Sequence, residues 1–120
     1  MPFTRYTGKA IRKEDPIVAL RLKGKIGFNR QAVRQHNLDK FGFAVLYYDK
    51  STKAIGIEFT NDGKAIGAFR VCRPRNCRDI YISARSFCIH FKIPYGKTRR
   101  SILSKDLDTP NFYRFTLPRN

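Results

Sequence analysis

Apolar and polar residues alternate along most of this chain, and in two places the period lengthens to that of a helix. Ile17-Val18-Ala19-Leu20-Arg21-Leu22 is a β-rich run. Lys23-Gly24-Lys25 follows as a turn or bulge, where glycine supplies special backbone angles. Ile26 and Phe28 then alternate with Lys25 and Gly27, the two-residue period of a half-buried strand. Asn29 is suited to cap a helix, because its side-chain oxygen can accept from a free N–H of the first turn. Ala32, Val33 and His36 recur at helical spacing with Arg30 and Arg34 on another face, so a short helix ending near Asn37 is expected. Phe41 to Tyr48 reads as a strong strand, Asp49 to Lys53 as a polar hairpin loop, and Ala54 to Phe59 as the returning strand, with Ile55, Ile57 and Phe59 on one face.

Asn61-Asp62-Gly63-Lys64 is a turn that separates two halves. Ile66 to Cys72 predicts a strand, and Arg73-Pro74-Arg75-Asn76-Cys77-Arg78 a basic loop. Ile80-Tyr81-Ile82-Ser83 is again an alternating strand ending in a capping residue. Ala84 to His90 then reads as a helix whose apolar mass comes from Phe87 and Ile89. Ile93 to Lys97 ends that helix, Thr98 to Ser104 is a basic strand, Asp106 to Asn111 a turn, and Phe112 to Leu117 the last strand. Shifted by 54 positions, Ile26 falls on Ile80, Phe28 on Ile82, Asn29 on Ser83, Val33 on Phe87 and His36 on His90. That register predicts an internal repeat of strand, helix and strands, one copy over about 17–60 and the other over about 66–117.

Short helices among many strands point to a mainly β (α+β) fold, a small barrel of two β-α-β-β repeats that closes on itself and leaves no exposed strand edge. A chain of 120 residues suits one domain, here 17–117, preceded by a basic arm over 1–16 that Pro16 closes. With 42% hydrophobic and 28% charged residues the chain is neither disordered nor membrane-embedded, and no apolar run reaches the length of a spanning helix. Its first residues have no apolar signal-peptide core, which places the protein in the cytoplasm or nucleoid as an expectation.

The run Gly24 to Val33, then Leu38, Phe43 to Asp49 and Ile55-Gly56-Ile57, resembles the AbrB/SpoVT type of DNA-binding module. That family begins with a strand of the form G-x-I-x-(I/F)-P, followed by a short helix, a leucine, a strand and a polar hairpin to a final strand. Asn29 stands where the family usually has proline, and Asp39-Lys40-Phe41-Gly42 where it has a Gly-Asp pair. The two-copy plan looks like the wider cradle-loop and double-psi barrels. The resemblance implies that basic residues on the strand and near the helix start, here Arg21, Lys23, Lys25, Arg30 and Arg34, face DNA.

Charge gives the functional direction. Lys and Arg number 25 against nine Asp and Glu, a formal net charge of +16, whose self-repulsion a polyanion would relieve. An anionic membrane is the rival partner, but no basic amphipathic helix of adequate length is present. Residues 69–100 hold Arg70, Arg73, Arg75, Arg78, Arg85, Lys92, Lys97, Arg99 and Arg100 against the single acid Asp79. Arginine forks bind phosphate oxygens in pairs and can reach guanine edges. Tyr6, Tyr81, Tyr95 and Tyr113 interleave with this charge and could stack on unpaired bases, although such tyrosines more often belong to the barrel with a wet hydroxyl.

Other chemistry finds little footing. Cys72, Cys77, Cys88 and His90 have poor zinc spacing, and an odd cysteine number suggests free thiols. His36 and His90 read as packing or capping residues at helix ends. No phosphate loop, nucleophile–base pair or metal-binding carboxylate cluster stands out, so neither an enzyme nor a cofactor is expected. The expected function is binding of nucleic acid, double-stranded DNA before RNA or single strands, by a transcriptional regulator or architectural protein that could act as a homodimer. Its site residues would be Arg21, Lys23, Lys25, Arg30, Arg34, Arg70, Arg73, Arg75, Arg78, Lys97, Arg99 and Arg100. The alternatives are a single-strand or RNA module, an interaction protein for an acidic partner, and a barrel enzyme acting on nucleic acid.

Overall fold

The computed structural model describes residues 15–73 and 79–117. Most of the expected N-terminal arm, and Arg75, Cys77 and Arg78 of the basic loop, lie outside them. The described elements are β1 (Ile17–Leu20), β2 (Lys25–Phe28), α1 (Arg30–His36), β3 (Phe43–Asp49), β4 (Ala54–Thr60), β5 (Phe69–Cys72), β6 (Ile80–Ser83), α2 (Arg85–His90), β7 (Arg99–Ile102), β8 (Ser104–Lys105) and β9 (Phe112–Thr116), with single 3-10 turns at Leu22–Gly24 and Leu38–Lys40.

The strands form one antiparallel sheet in the order β7-β1-β2-β6-β5-β3-β4-β9-β8. Its two ends, β7 and β8, are successive pieces of one run split at Leu103, so the sheet comes round on itself as a small, nearly closed barrel. At the split, buried Leu103 turns inward and its N–H donates to the Pro16 carbonyl at 2.9 Å. Across the same seam, Ser101 Oγ donates to the Thr116 carbonyl at 2.8 Å.

Alternation decides what fills the barrel. Val18 and Leu20, Ile26 and Phe28, Ile55, Ile57 and Phe59, Ile80 and Ile82, and Tyr113 and Phe115 are all buried, every second residue on their strands. Phe59 is the hub, with ring centroids 5.6 Å from Phe28, 5.7 Å from Phe41 and 5.6 Å from Tyr113. From α1, Val33 is buried and His36 sets its ring 4.7 Å from Tyr113. From α2, Phe87 meets Tyr48 edge to face at 6.5 Å, and Phe91, just beyond it, lies 5.2 Å from the same ring.

Asn29 caps α1 as expected, its Oδ1 accepting from Ala32 N–H at 2.8 Å. It does more than cap. The same oxygen accepts from Ile17 N–H at 2.9 Å, and its Nδ2 donates to the Asp15 carbonyl at 2.9 Å. A proline here could make none of these side-chain bonds.

Several expectations are corrected. Ser83 is not a cap: β6 runs through it, Ala84 holds the cap position without a side-chain bond, and Ala84 N–H donates instead to the Gly24 carbonyl at 3.0 Å. Ile89 adds nothing to the core, being 58% exposed, and Cys88 is buried in its place. The strand expected over Ile66–Cys72 begins only at Phe69, because Asp62 to Ala68 is spent in turns (Ala65 N–H to the Asp62 carbonyl at 3.2 Å, Gly67 at φ +77°) that leave Ile66 97% exposed. The first strand stops at Leu20, because Lys23 (φ +65°) and Gly24 (φ +77°) turn the chain back into β2. No helix among the described residues is long and apolar enough to cross a membrane.

Candidate nucleic-acid interface

The outward residues of β7, β1, β2, β6 and β5 make a basic wall. Pairing fixes its layout. Arg100 lies beside Ala19, Ala19 beside Gly27, Gly27 beside Tyr81, and Tyr81 beside Cys72. One step along, Arg21 N–H donates to the Lys25 carbonyl at 2.7 Å and Lys25 pairs with Ser83. Continuing the β5–β6 register by one residue brings Arg70 alongside Ser83. Arg21, Lys25 and Arg70 thus stand in one row, with Arg100 in the next. At the usual strand spacing, the row from Arg21 to Arg70 spans about 14 Å, roughly four phosphates of one DNA strand projected on its axis.

The floor beneath the row is small. A Cβ at Gly27 would come within 2.7 Å of Arg21 Cζ, so the glycine lets the guanidinium lie flat on the strand. The Lys25 Nζ stands 4.8 Å from the centroid of the Tyr81 ring, a cation–π contact that covers that face of the tyrosine. Among the described residues, none of Arg21, Lys25, Arg70 and Arg100 has an ion-pair partner. Arg85 stands close by, since the Gly24 backbone packs against its Cα, and Lys23 is exposed in the same turn.

The other expected residues are spread out. Arg30 and Arg34 are exposed on α1, which leaves β2 at the end away from Lys25. Lys97 is exposed in the turn before β7. Arg99 faces the other side of β7 from Arg100, and its Nη2 donates to the Pro94 carbonyl at 2.6 Å. Arg73 Nη2 donates to the Asp39 carbonyl at 2.6 Å and the Phe41 carbonyl at 2.5 Å, tying the start of its loop to the turn after α1. That is a structural task the sequence did not signal. Arg75 and Arg78 lie outside the described residues.

The aromatic expectation shifts. Tyr113 is buried, Tyr95 packs against the core, Tyr81 carries Lys25, and Tyr6 lies outside the described residues. Exposed aromatic surface sits instead on the opposite wall, around Tyr47 and Phe112, which the alternation pattern marks only as strand residues. The signals were Tyr47 at an outward position of β3 and Gly56 in the middle of β4.

Among the described residues no three His, Cys, Asp or Glu side chains gather as a metal site. Burial pushes the Cys88 thiol pKa up, while half-buried Cys72 directs Sγ to the Arg70 carbonyl at 3.8 Å. His36 and His90 differ. Burial, and then the charge of Lys105, hold the His36 pKa below its usual 6.5, and its Nε2 is buried with no hydrogen-bond partner among the described residues. His90 is exposed, edge-on to Phe91 at 4.7 Å. No family model, curated protein or solved structure matches this chain.

Proposed function

We propose that this protein binds nucleic acid, double-stranded DNA in particular, by laying phosphates along the Arg21–Lys25–Arg70 row with Arg100 beside it. The observation that carries the reading is that row: aligned cations with no acidic partner among the described residues, on a chain of net charge +16. Among its described residues the wall offers no open aromatic face for stacking, because Lys25 covers Tyr81, so it suits a backbone whose bases are paired. Arg85 and Lys23 extend the row at the Gly24 turn. Binding set by phosphates rather than bases suits an architectural role, and a transcriptional regulator remains the second form of the same proposal.

The AbrB/SpoVT-like plan belongs to the same proposal, as does the two-copy barrel. Three observations support two copies. β2 and β6 pair about Gly27 and Tyr81, which are 54 residues apart. β4 and β9 pair about Gly56 and Arg114, each strand preceded by a residue at positive φ, Lys53 and Asn111. Exchanging β1 with β5, β2 with β6, β3 with β7–β8 and β4 with β9 returns the same neighbour order round the barrel. Superposing 17–60 on 66–117 in a crystal structure tests this: β1, β2 and α1 should fall on β5, β6 and α2, and agreement over one strand only would contradict it.

The functional reading is tested by fluorescence anisotropy with a labelled duplex at rising salt. Affinity should fall linearly on logarithmic axes, with a slope near −0.9 for each phosphate neutralised. A protein that binds neither duplex DNA nor any other nucleic acid at low salt would contradict it.

A further inference from the structure

The wall opposite the basic one, formed by the outward sides of β3, β4 and β9, carries a cleft of about 480 Å³, within the range of small-ligand sites. Tyr47 and Phe112 line it side by side, their ring centroids 5.4 Å apart and their planes tilted by 46°. The barrel buries Phe28, Phe41, Phe59, Phe87, Tyr113 and Phe115, yet leaves Tyr47 46% exposed. An aromatic ring left in water forgoes the gain of burial, so an exposed Tyr47 held against a half-buried Phe112 is a feature to explain.

The cleft is built. Gly56 interrupts β4 where a side chain would strengthen the strand, and a Cβ there would come within 2.5 Å of the Phe112 ring. The glycine therefore lets Phe112 lie on the sheet. Tyr47 is pinned from the far end, its hydroxyl donating to Glu58 Oε1 at 3.0 Å, a bond that with burial raises the Tyr47 pKa and keeps the phenol neutral. The rim is polar: Thr52, Thr116, Asp49 and Arg114 line it. Arg114 Nη2 lies 3.2 Å from Asp106 Oδ1, which occupies one of five guanidinium donors and leaves others for an anion. The Asp49 carboxylate is turned into its own hairpin, accepting from Ser51 N–H and Oγ, and does not compete for Arg114.

We infer that this cleft holds one unpaired nucleobase of a single-stranded nucleic acid, the base stacked on Tyr47 and Phe112 and its phosphate on Arg114. Stacking needs only a π face, so the site takes any base, and the strongly basic chain supplies the attraction that brings the strand there. The inference rests on the nucleic-acid reading for the class of partner, but it concerns the other wall, other residues and another form of the ligand.

The test compares a labelled twelve-nucleotide oligothymidine, an abasic strand of the same length, and a duplex. The unmodified protein should bind the base-bearing strand about tenfold or more tighter than the abasic one. Tyr47→Ala should erase that preference while leaving duplex affinity unchanged, and Tyr47→Phe should keep the preference. Equal binding of base-bearing and abasic strands by the unmodified protein would overturn the inference, as would a Tyr47→Ala protein that still prefers bases. The unmodified protein settles the first point without any variant, so a variant that failed to fold would not shelter the idea. A variant with Arg21→Ala and Lys25→Ala that loses duplex binding but keeps the base preference would support two separate walls, and one that loses the base preference as well would overturn the assignment of the base to this cleft.

Discussion

β2 and β6 turn Lys25, Gly27, Tyr81 and Ser83 away from the core; β4 and β9 turn Gly56, Glu58, Phe112 and Arg114 away from it. The two walls stand on opposite sides of one barrel, and both centre on a mid-strand glycine over which a neighbouring side chain lies flat. On the first wall that side chain is the Arg21 guanidinium, on the second the Phe112 ring. The backbone device is shared and the chemistry is not. In the proposed reading, a charged cover with further cations in its row is suited to phosphate, and an aromatic cover with a second ring beside it to a base.

The largest effect should come from the interior that both walls share. Phe59→Ala removes the ring between Phe28, Phe41 and Tyr113 and should cost about 3–5 kcal/mol by urea denaturation, weakening both kinds of binding together. A loss below about 1 kcal/mol would mean the walls do not depend on a common core.

Gly24→Ala should come next. Its φ is +77° and a new Cβ would sit 2.7 Å from Arg85 Cα, a backbone atom that cannot swing away. A cost of about 1–3 kcal/mol is expected from the left-handed backbone and the clash, read as a lower thermal midpoint. Wild-type stability in this variant would show that the turn feeding the basic wall is not tightly held.

The two covered glycines sharpen the contrast. Gly27→Ala meets only the mobile end of Arg21, and Gly56→Ala meets the Phe112 ring, so each should change stability by about 1 kcal/mol or less. Their binding effects should cross over: the first weakens duplex binding and spares base preference, and the second does the reverse. Parallel losses in both would contradict the division of labour.

Much of this plan was legible in the sequence. Ile26 and Phe28, Ile80 and Ile82, and Ile55, Ile57 and Phe59 alternate cleanly, and each set fills the barrel. What was not legible depended on partners far along the chain. Ile66 looks like strand until the Gly67 backbone turns it out to solvent, and Ile89 looks like core on a helix too short to bury two faces. Arg73 read as a phosphate ligand, while the carbonyls of Asp39 and Phe41, more than thirty residues away, give it hydrogen bonds. The basic row was named residue by residue, but only strand register reveals that Arg21, Lys25 and Arg70 stand in line while Arg99 faces elsewhere. The cleft was missed because Tyr47 and Phe112 come from strands that meet only through β4.

The smallest effect should come from His36, below the second wall and against Tyr113. Its pKa is lowered in the folded state, so between 6.5 and that lower value the unfolded chain binds more protons. Its contribution is present above pH 6.5 and is lost as pH falls through the folded value. Thermal midpoints should therefore decline on acidification below pH 6.5, and His36→Gln should flatten this part of the profile. An identical profile in the variant would assign the acid sensitivity to other groups.

The most direct measurement is the salt dependence of duplex DNA binding by the unmodified protein and by a variant carrying Arg21→Ala, Lys25→Ala, Arg70→Ala and Arg100→Ala. If each side chain neutralises one phosphate, the logarithmic slope should become shallower by about 3–4 units and low-salt affinity should fall, with the thermal midpoint nearly unchanged because four mutually repelling charges are removed. An unchanged slope and affinity in a folded variant would show that the basic wall is not where this protein meets DNA.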